Sequence, residues 1–173
     1  MKNKILLIGI TCFLSHHLLA QGVYVKFKKP EIFSEKSSPI FLANYFDIRG
    51  FQYAIHSQKG KVSSGLLSFT MEESFASPKL WKNLFQPETP MDLELIFTKI
   101  SGGNEVTYLT IRCNNSYLNA INSQTQANEI TELHMQVWVN EYSIQYKEFG
   151  QSGNTLGSFS TGWNYLKNIP NNF

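Results

Sequence analysis

Along most of this chain apolar and polar residues alternate with a period of two, the spacing of strands whose successive side chains point to opposite faces. Val23, Val25 and Phe27 alternate with Tyr24 and Lys26, which predicts a first strand with the valines and Phe27 inward. Ile48 to His56 and Val62 to Met71 predict a second and a third strand, joined by the short polar Gln58-Lys59-Gly60. Between the first two, Lys28 to Phe46 carries Pro30 and Pro39 and reads as a surface excursion tied down by Ile32, Phe33, Ile40, Phe41 and Leu42. The period changes in one place. Ser77 can cap a helix, Pro78 suits its first turn, and Leu80, Trp81, Leu84 and Phe85 share one face before Pro87 and Pro90 end it.

Alternation then resumes. Met91, Leu93, Leu95 and Phe97 predict a strand, and Leu109, Ile111 and Cys113 its partner, with Ser101-Gly102-Gly103-Asn104 as the hairpin turn. Asn114 to Asn128 is rich in Asn, Ser and Gln but keeps Tyr117, Leu118 and Ile121, which predicts a bent, half-exposed strand running into a loop. Further on, Leu133, Met135, Val137 and Val139 occupy odd positions, whereas Tyr142, Ile144 and Tyr146 occupy even ones. The inward face therefore changes at Asn140-Glu141, as a bulge or a strand passing between two sheets would require. Gly150, Gly153 and Gly157 mark a turn, and Phe159, Trp163, Tyr165 and Leu166 close the chain as a last strand and tail. No repeat of fixed period runs through the sequence.

The first twenty residues stand apart from this pattern. Lys2 and Lys4 precede an apolar stretch from Ile5 to Leu14, and Ala20 offers a small residue for cleavage, so Met1 to Ala20 reads as a secretory signal peptide. That stretch is shorter than the about 20 residues a bilayer span needs. Residues 21–173 are expected to form a single domain found in the periplasm or outside the cell, with no stable membrane insertion. Lys2 and Lys4 account for the formal net charge of +2, so the remainder carries none and nucleic-acid binding loses its electrostatic basis. Cys12 falls within the leader, which leaves Cys113 without a partner for an intramolecular disulfide.

Several ordered segments carry a resemblance. They are the short opening strand, Leu67-Ser68-Phe69-Thr70 running into Ala76-Ser77-Pro78, the Gly102-Gly103 hairpin before Thr107-Tyr108-Leu109-Thr110-Ile111, the face switch before Tyr146, and the terminal Gly162-Trp163-Asn164. In order and spacing this set resembles the haemolysin-coregulated protein (Hcp) family, the tube subunits of type VI secretion. The resemblance implies a mainly β fold, a compact two-sheet β-barrel with one helix, whose copies form hexameric rings that stack as a secreted tube and carry effectors. The implied partners are further copies of the chain, other type VI secretion components and effector cargo. Three features depart from the family pattern: the leader, the short Gln58 to Gly60 connection where the family has a longer loop that reaches neighbouring subunits, and the long first loop. They keep a second reading open, an exported monomeric module of the same fold that binds a partner protein or a surface ligand.

The search for chemistry yields no catalytic, cofactor or metal site. His56 and His134 are the histidines beyond the leader, and Glu132 shares a strand face with His134. A solvated or hydrogen-bonded surface pair explains these two more simply than an acid-base or metal pair. Glu72 and Glu73 are adjacent in a strand, so their side chains diverge. Cys113 continues the Leu109-Ile111 stripe as a buried thiol, and Ser152 in Gly150-Gln151-Ser152-Gly153 belongs to a turn. Of the tryptophans, Trp81 reads as core, Trp163 as part of the terminal strand, and Trp138, if outward, as an interface anchor. With it go Asn119, Asn122 and Gln124, polar residues suited to a wet lumen or ring face.

Overall fold

The structure is a computed structural model that describes residues 22–32, 44–58, 61–86, 89–127 and 130–171. The expectations for the leader, for Phe33, Ile40, Phe41 and Leu42, and for Lys59-Gly60 fall outside the described residues.

The described strands are β1 (Gly22–Lys29), β2 (Glu31–Ile32), β3 (Phe46–Gln58), β4 (Lys61–Glu72), β5 (Met91–Ser101), β6 (Asn104–Thr125), β7 (Thr131–Val139), β8 (Glu141–Phe149), β9 (Thr155–Asn164) and β10 (Ile169–Pro170), with helix α1 (Ser77–Phe85) between β4 and β5. All pairings are antiparallel. Both sheets depend on the length of β6. Its first half pairs with β5 on one side and β8 on the other, and its second half pairs with β7. Because β7 pairs with β4, β4 with β3, β3 with β1 and β1 with β5, the pairing returns to its start and closes a barrel. The β8–β9–β10 strands extend from it as a flap.

The sheet change takes place at the predicted Asn140 and, on the neighbouring strand, at Asn115, which the alternation did not mark. Asn115 adopts φ 52, a left-handed conformation that asparagine tolerates, and its N–H donates to the Asp92 carboxylate at 2.8 Å. Opposite it, Asn140 separates β7 from β8, and its carbonyl accepts from the Tyr165 N–H at 2.8 Å. The face switch is thus a strand passing from one sheet to the other. Leu133, Val137 and Val139 are fully enclosed before the switch, and Tyr142 and Ile144 pack against the same core after it.

The hairpin turn follows its sequence as well. Ser101 pairs with Asn104, and Gly102 and Gly103 both take positive φ (59 and 79), the two-residue turn whose twist suits adjoining strands. A side chain on Gly102 would run into the backbone of Ser152, because the 150–154 turn lies against this hairpin and accepts a hydrogen bond from Ser101 Oγ at the Gly150 carbonyl.

Between the sheets, Val25, Phe27, Leu67, Phe69, Leu93, Leu95, Leu133, Met135 and Val137 are at most 2% exposed. Burying each such large apolar side chain contributes about 1.5–3 kcal/mol. Cys113 is fully buried here, where desolvation pushes its thiol up to about 12 and leaves it unreactive.

Two expectations are corrected. Tyr24 does not face solvent: it is 6% exposed on the opposite side of β1 from Val25, in a small second cluster with Ile96 under Tyr45. Helix α1 starts one residue earlier than a Ser77 cap implies. Ala76 is its N-cap with no side-chain cap bond, and Ser77 Oγ instead accepts from the Ser74 N–H at 2.9 Å, tightening the turn that enters the helix. Its inward face is Leu80 and the buried polar Asn83, with Trp81 and Leu84 half-buried at the margin, whereas Phe85 is 74% exposed.

Candidate interface

Strands β3, β4, β7 and the second half of β6 form one sheet whose outer face is read row by row from its register. Trp138 on β7 lies between Leu66 on β4 and Tyr117 on β6. The next row is Ser68, Gln136 and Ala120, followed by Thr70, His134 and Asn122, then Glu72, Glu132 and Gln124. Rows of this kind lie about 7 Å apart, two residues along a strand. The face therefore grades from apolar through amide and hydroxyl to acidic over four rows.

All four residues singled out from sequence meet on this face. Trp138 is 38% exposed, and Asn122 and Gln124 are exposed two and three rows away. Asn119 occupies the β6 bulge between Leu118 and Ala120, where its amide donates to Gln136 Oε1 at 3.4 Å. The strand carrying these polar residues is also an edge. From Tyr117 to Thr125, β7 is the only strand paired with β6 among the described residues.

The titratable groups on this face are structural. Thr70 Oγ1 hydrogen-bonds His134 Nδ1 at 2.8 Å, while Glu132 turns to Arg49 at 3.4 Å, so the histidine and carboxylate do not engage each other. Arg49 also reaches Glu72 at 3.5 Å. Among the described residues no group of three His, Cys, Asp or Glu side chains is placed to hold a metal ion. Ser152 stays in its turn, donating to Asn154 Oδ1 at 2.5 Å.

Sequence reading missed two features. One is a buried carboxylate on the outer face of the β1–β5–β6 sheet. Glu94, 8% exposed, accepts from Lys28 at 2.7 Å, Tyr45 at 2.6 Å and Arg112 at 2.8 Å. Burial alone would raise its pKa, but the hydrogen bonds from Lys28, Tyr45 and Arg112 outweigh it and hold the carboxyl at about 2. Burial and the same bond to Glu94 raise Tyr45 above an ordinary phenol. The signal was present in Glu94 and Arg112, a cross-strand pair once the hairpin register is set.

The other is the edge of β9. Thr155 to Thr161 are all exposed, with Leu156 60% and Phe159 65% in solvent, and no charged residue or proline interrupts the strand. Natural edges are usually guarded by charge, proline or a bulge against pairing with another chain. Here only a bulge near Glu148 and Phe149 interrupts the register. The unguarded edge leads inward to a line of aromatic contacts: Phe159 pairs across to Tyr146, and Tyr146, Tyr108, Phe97 and Phe51 make successive edge-to-face contacts with centroids 5.1–6.4 Å apart.

Comparison with known proteins agrees with this architecture. The family described as "Type VI secretion system effector, Hcp" matches residues 49–151. No curated protein sequence matches the chain. Among solved structures, Hcp1 from Salmonella typhimurium superposes with a TM-score of 0.68 at 16% identity, covering 87% of this chain and 99% of that one. A type VI secretion system effector from Yersinia pestis gives 0.65 at 15% identity over 82% and 98% of the two chains. The secreted protein Hcp3 from Pseudomonas aeruginosa gives 0.57 at 15% identity over 80% and 96%. At these identities the likeness is one of fold.

Proposed function

The chain belongs to the Hcp family of type VI secretion, and from that membership we propose that it is an exported, non-enzymatic ring or tube subunit that assembles with copies of itself, most simply as a hexamer, and carries effectors. The observation that carries this reading is a pair of strand edges unmatched among the described residues, β9 from Thr155 to Thr161 and β6 from Tyr117 to Thr125. Unpaired backbone donors and acceptors on an apolar edge favour strand addition. Two different edges on one subunit favour a head-to-tail contact, which closes into a ring when its rotation returns to the start. The absence of formal net charge outside the leader keeps repulsion between copies low. Trp138, Asn119, Asn122 and Gln124 then line a face of the assembly, with the amides suited to a water-filled lumen.

One experiment tests export and assembly together. The protein is recovered from periplasm and medium, sequenced from its amino terminus, and followed by light scattering over a concentration series with negative-stain imaging. The expected result is a chain beginning at Gln21 that forms closed rings. Intact Met1 in the cytosol refutes export. A monomer that persists at high concentration without rings refutes the tube subunit and leaves the monomeric binding module, which the leader and the short Gln58 to Gly60 connection favour.

A further inference from the structure

A separate surface lies where β4 enters helix α1. Glu72 ends β4 and Glu73 follows it, Phe75 comes one residue before the Ala76 cap, and Lys79 and Lys82 lie on the exposed side of the helix. Phe75 is 70% exposed, so it takes almost no part in the core. The carboxylates belong to a broader acidic zone. Glu72, Glu73 and Ser74 line a cavity of about 480 Å³ together with Asp47, Glu132 and Arg49, the one cation against four carboxylates among the described residues there, and a neighbouring one of about 400 Å³ with Ile130 and Thr131. Lys79 and Lys82, three residues apart, share one stripe of the helix. Along the chain the order of these solvent-facing residues is therefore acid, aromatic, base, with Phe75 between the two signs.

This order is self-complementary. A half-turn about an axis through Phe75 lays the acidic side of one copy on the basic side of another twice over, and places the two Phe75 rings together. We propose that a second copy of this chain docks here about a two-fold axis, with Glu72 and Glu73 facing Lys79 and Lys82 of the other copy around a Phe75 pair. A head-to-tail stack would need the acidic and basic patches at opposite ends of the molecule, whereas here they adjoin, as an isologous contact requires. The exposed pair between Arg49 and Glu72 at 3.5 Å does not oppose docking, because a surface ion pair of that kind is weak and exchanges partners readily. This contact is independent of strand-edge assembly. It doubles whatever unit the chain forms, monomer or ring.

Sedimentation velocity on the full chain over a concentration series tests it. The wild type is expected to show a step that doubles the mass, weakened about tenfold or more when salt is raised to about 0.5 M. The double variants Glu72→Lys with Glu73→Lys, and Lys79→Glu with Lys82→Glu, should each lose the step, and an equal mixture of the two should regain it. Phe75→Ser should also lose the step while leaving the thermal transition within a few degrees of wild type. A wild type that never doubles, single-sign variants that double like the wild type, or a mixture no better than its components each overturn the proposal. Capture of one variant by vesicles or by an unrelated acidic protein without self-doubling overturns it as well.

Discussion

Glu94 shows how a single side chain acquires a role that its neighbours in sequence do not announce. Lys28 approaches from β1, Arg112 from β6 and Tyr45 from the segment before β3, and together they hold the carboxyl at about 2 against an ordinary value of 4.5. A carboxylate whose folded-state pKa is depressed contributes stability that is complete above the unfolded value and is lost as pH falls through the folded one. Stability is therefore expected to decline between about pH 4.5 and 2 on account of this residue, by about 2 kcal/mol once screening by the partly exposed Lys28 and Arg112 is allowed for. Urea unfolding across that range checks this: Glu94→Gln should be less stable than wild type at neutral pH and should lose much of the acid dependence. Cys113 was legible without the fold, since it falls in an apolar alternation and is buried. Trp138 falls opposite to Val137 and Val139, and the sheet settles it as outward. The bonds of His134 and Glu132 were not legible, since Thr70 and Arg49 come from other strands.

At the scale of elements, local pattern and tertiary packing share control of the helix. Periodicity places Leu80, Trp81, Leu84 and Phe85 on one stripe, yet the barrel is curved and only its nearest arc covers them. Leu80 is enclosed, Trp81 and Leu84 reach the margin, and Phe85 stacks on Trp81 from solvent with ring centroids 6.4 Å apart. A fully buried aromatic costs about 3–5 kcal/mol when cut to alanine. Trp81→Ala should cost about 2 kcal/mol, and Phe85→Ala less than about 0.5 kcal/mol. Equilibrium denaturation distinguishes them, and equal losses at both sites would mean that the stripe packs as a whole. Strand β6 illustrates the converse. Its polar second half is still a strand because Leu118 and Ile121 point inward while β7 supplies the ladder, so a segment that composition alone would hand to a loop stays in the sheet.

For the whole molecule, closure and openness coexist. Thr155 to Thr161 of the flap strand β9 have one side unpaired among the described strands, and Phe159 stands 65% exposed there. If this edge joins copies, Phe159→Lys should lower ring assembly at least tenfold in scattering experiments while changing monomer stability by less than about 1 kcal/mol, because a charge on an exposed edge opposes pairing without disturbing the core. Rings that form as before would remove β9 from the contact.

Sequence pattern was enough for the longer strands, the single helix, the Gly102-Gly103 turn and the face switch at Asn140-Glu141, because each is written in short-range periodicity or in backbone preferences of a few residues, whereas the two-residue strands β2 and β10 were not foreseen. The same alternation placed Cys113 in the core, whereas the outward direction of Trp138 was settled only by the sheet. Tertiary structure alone decided which strands pair, that β6 spans both sheets, that Tyr24 finds a second small core, and that Glu94 gathers partners from three segments. These depend on contacts between residues far apart in the chain, and alternation within a strand carries no information about which strand lies beside it.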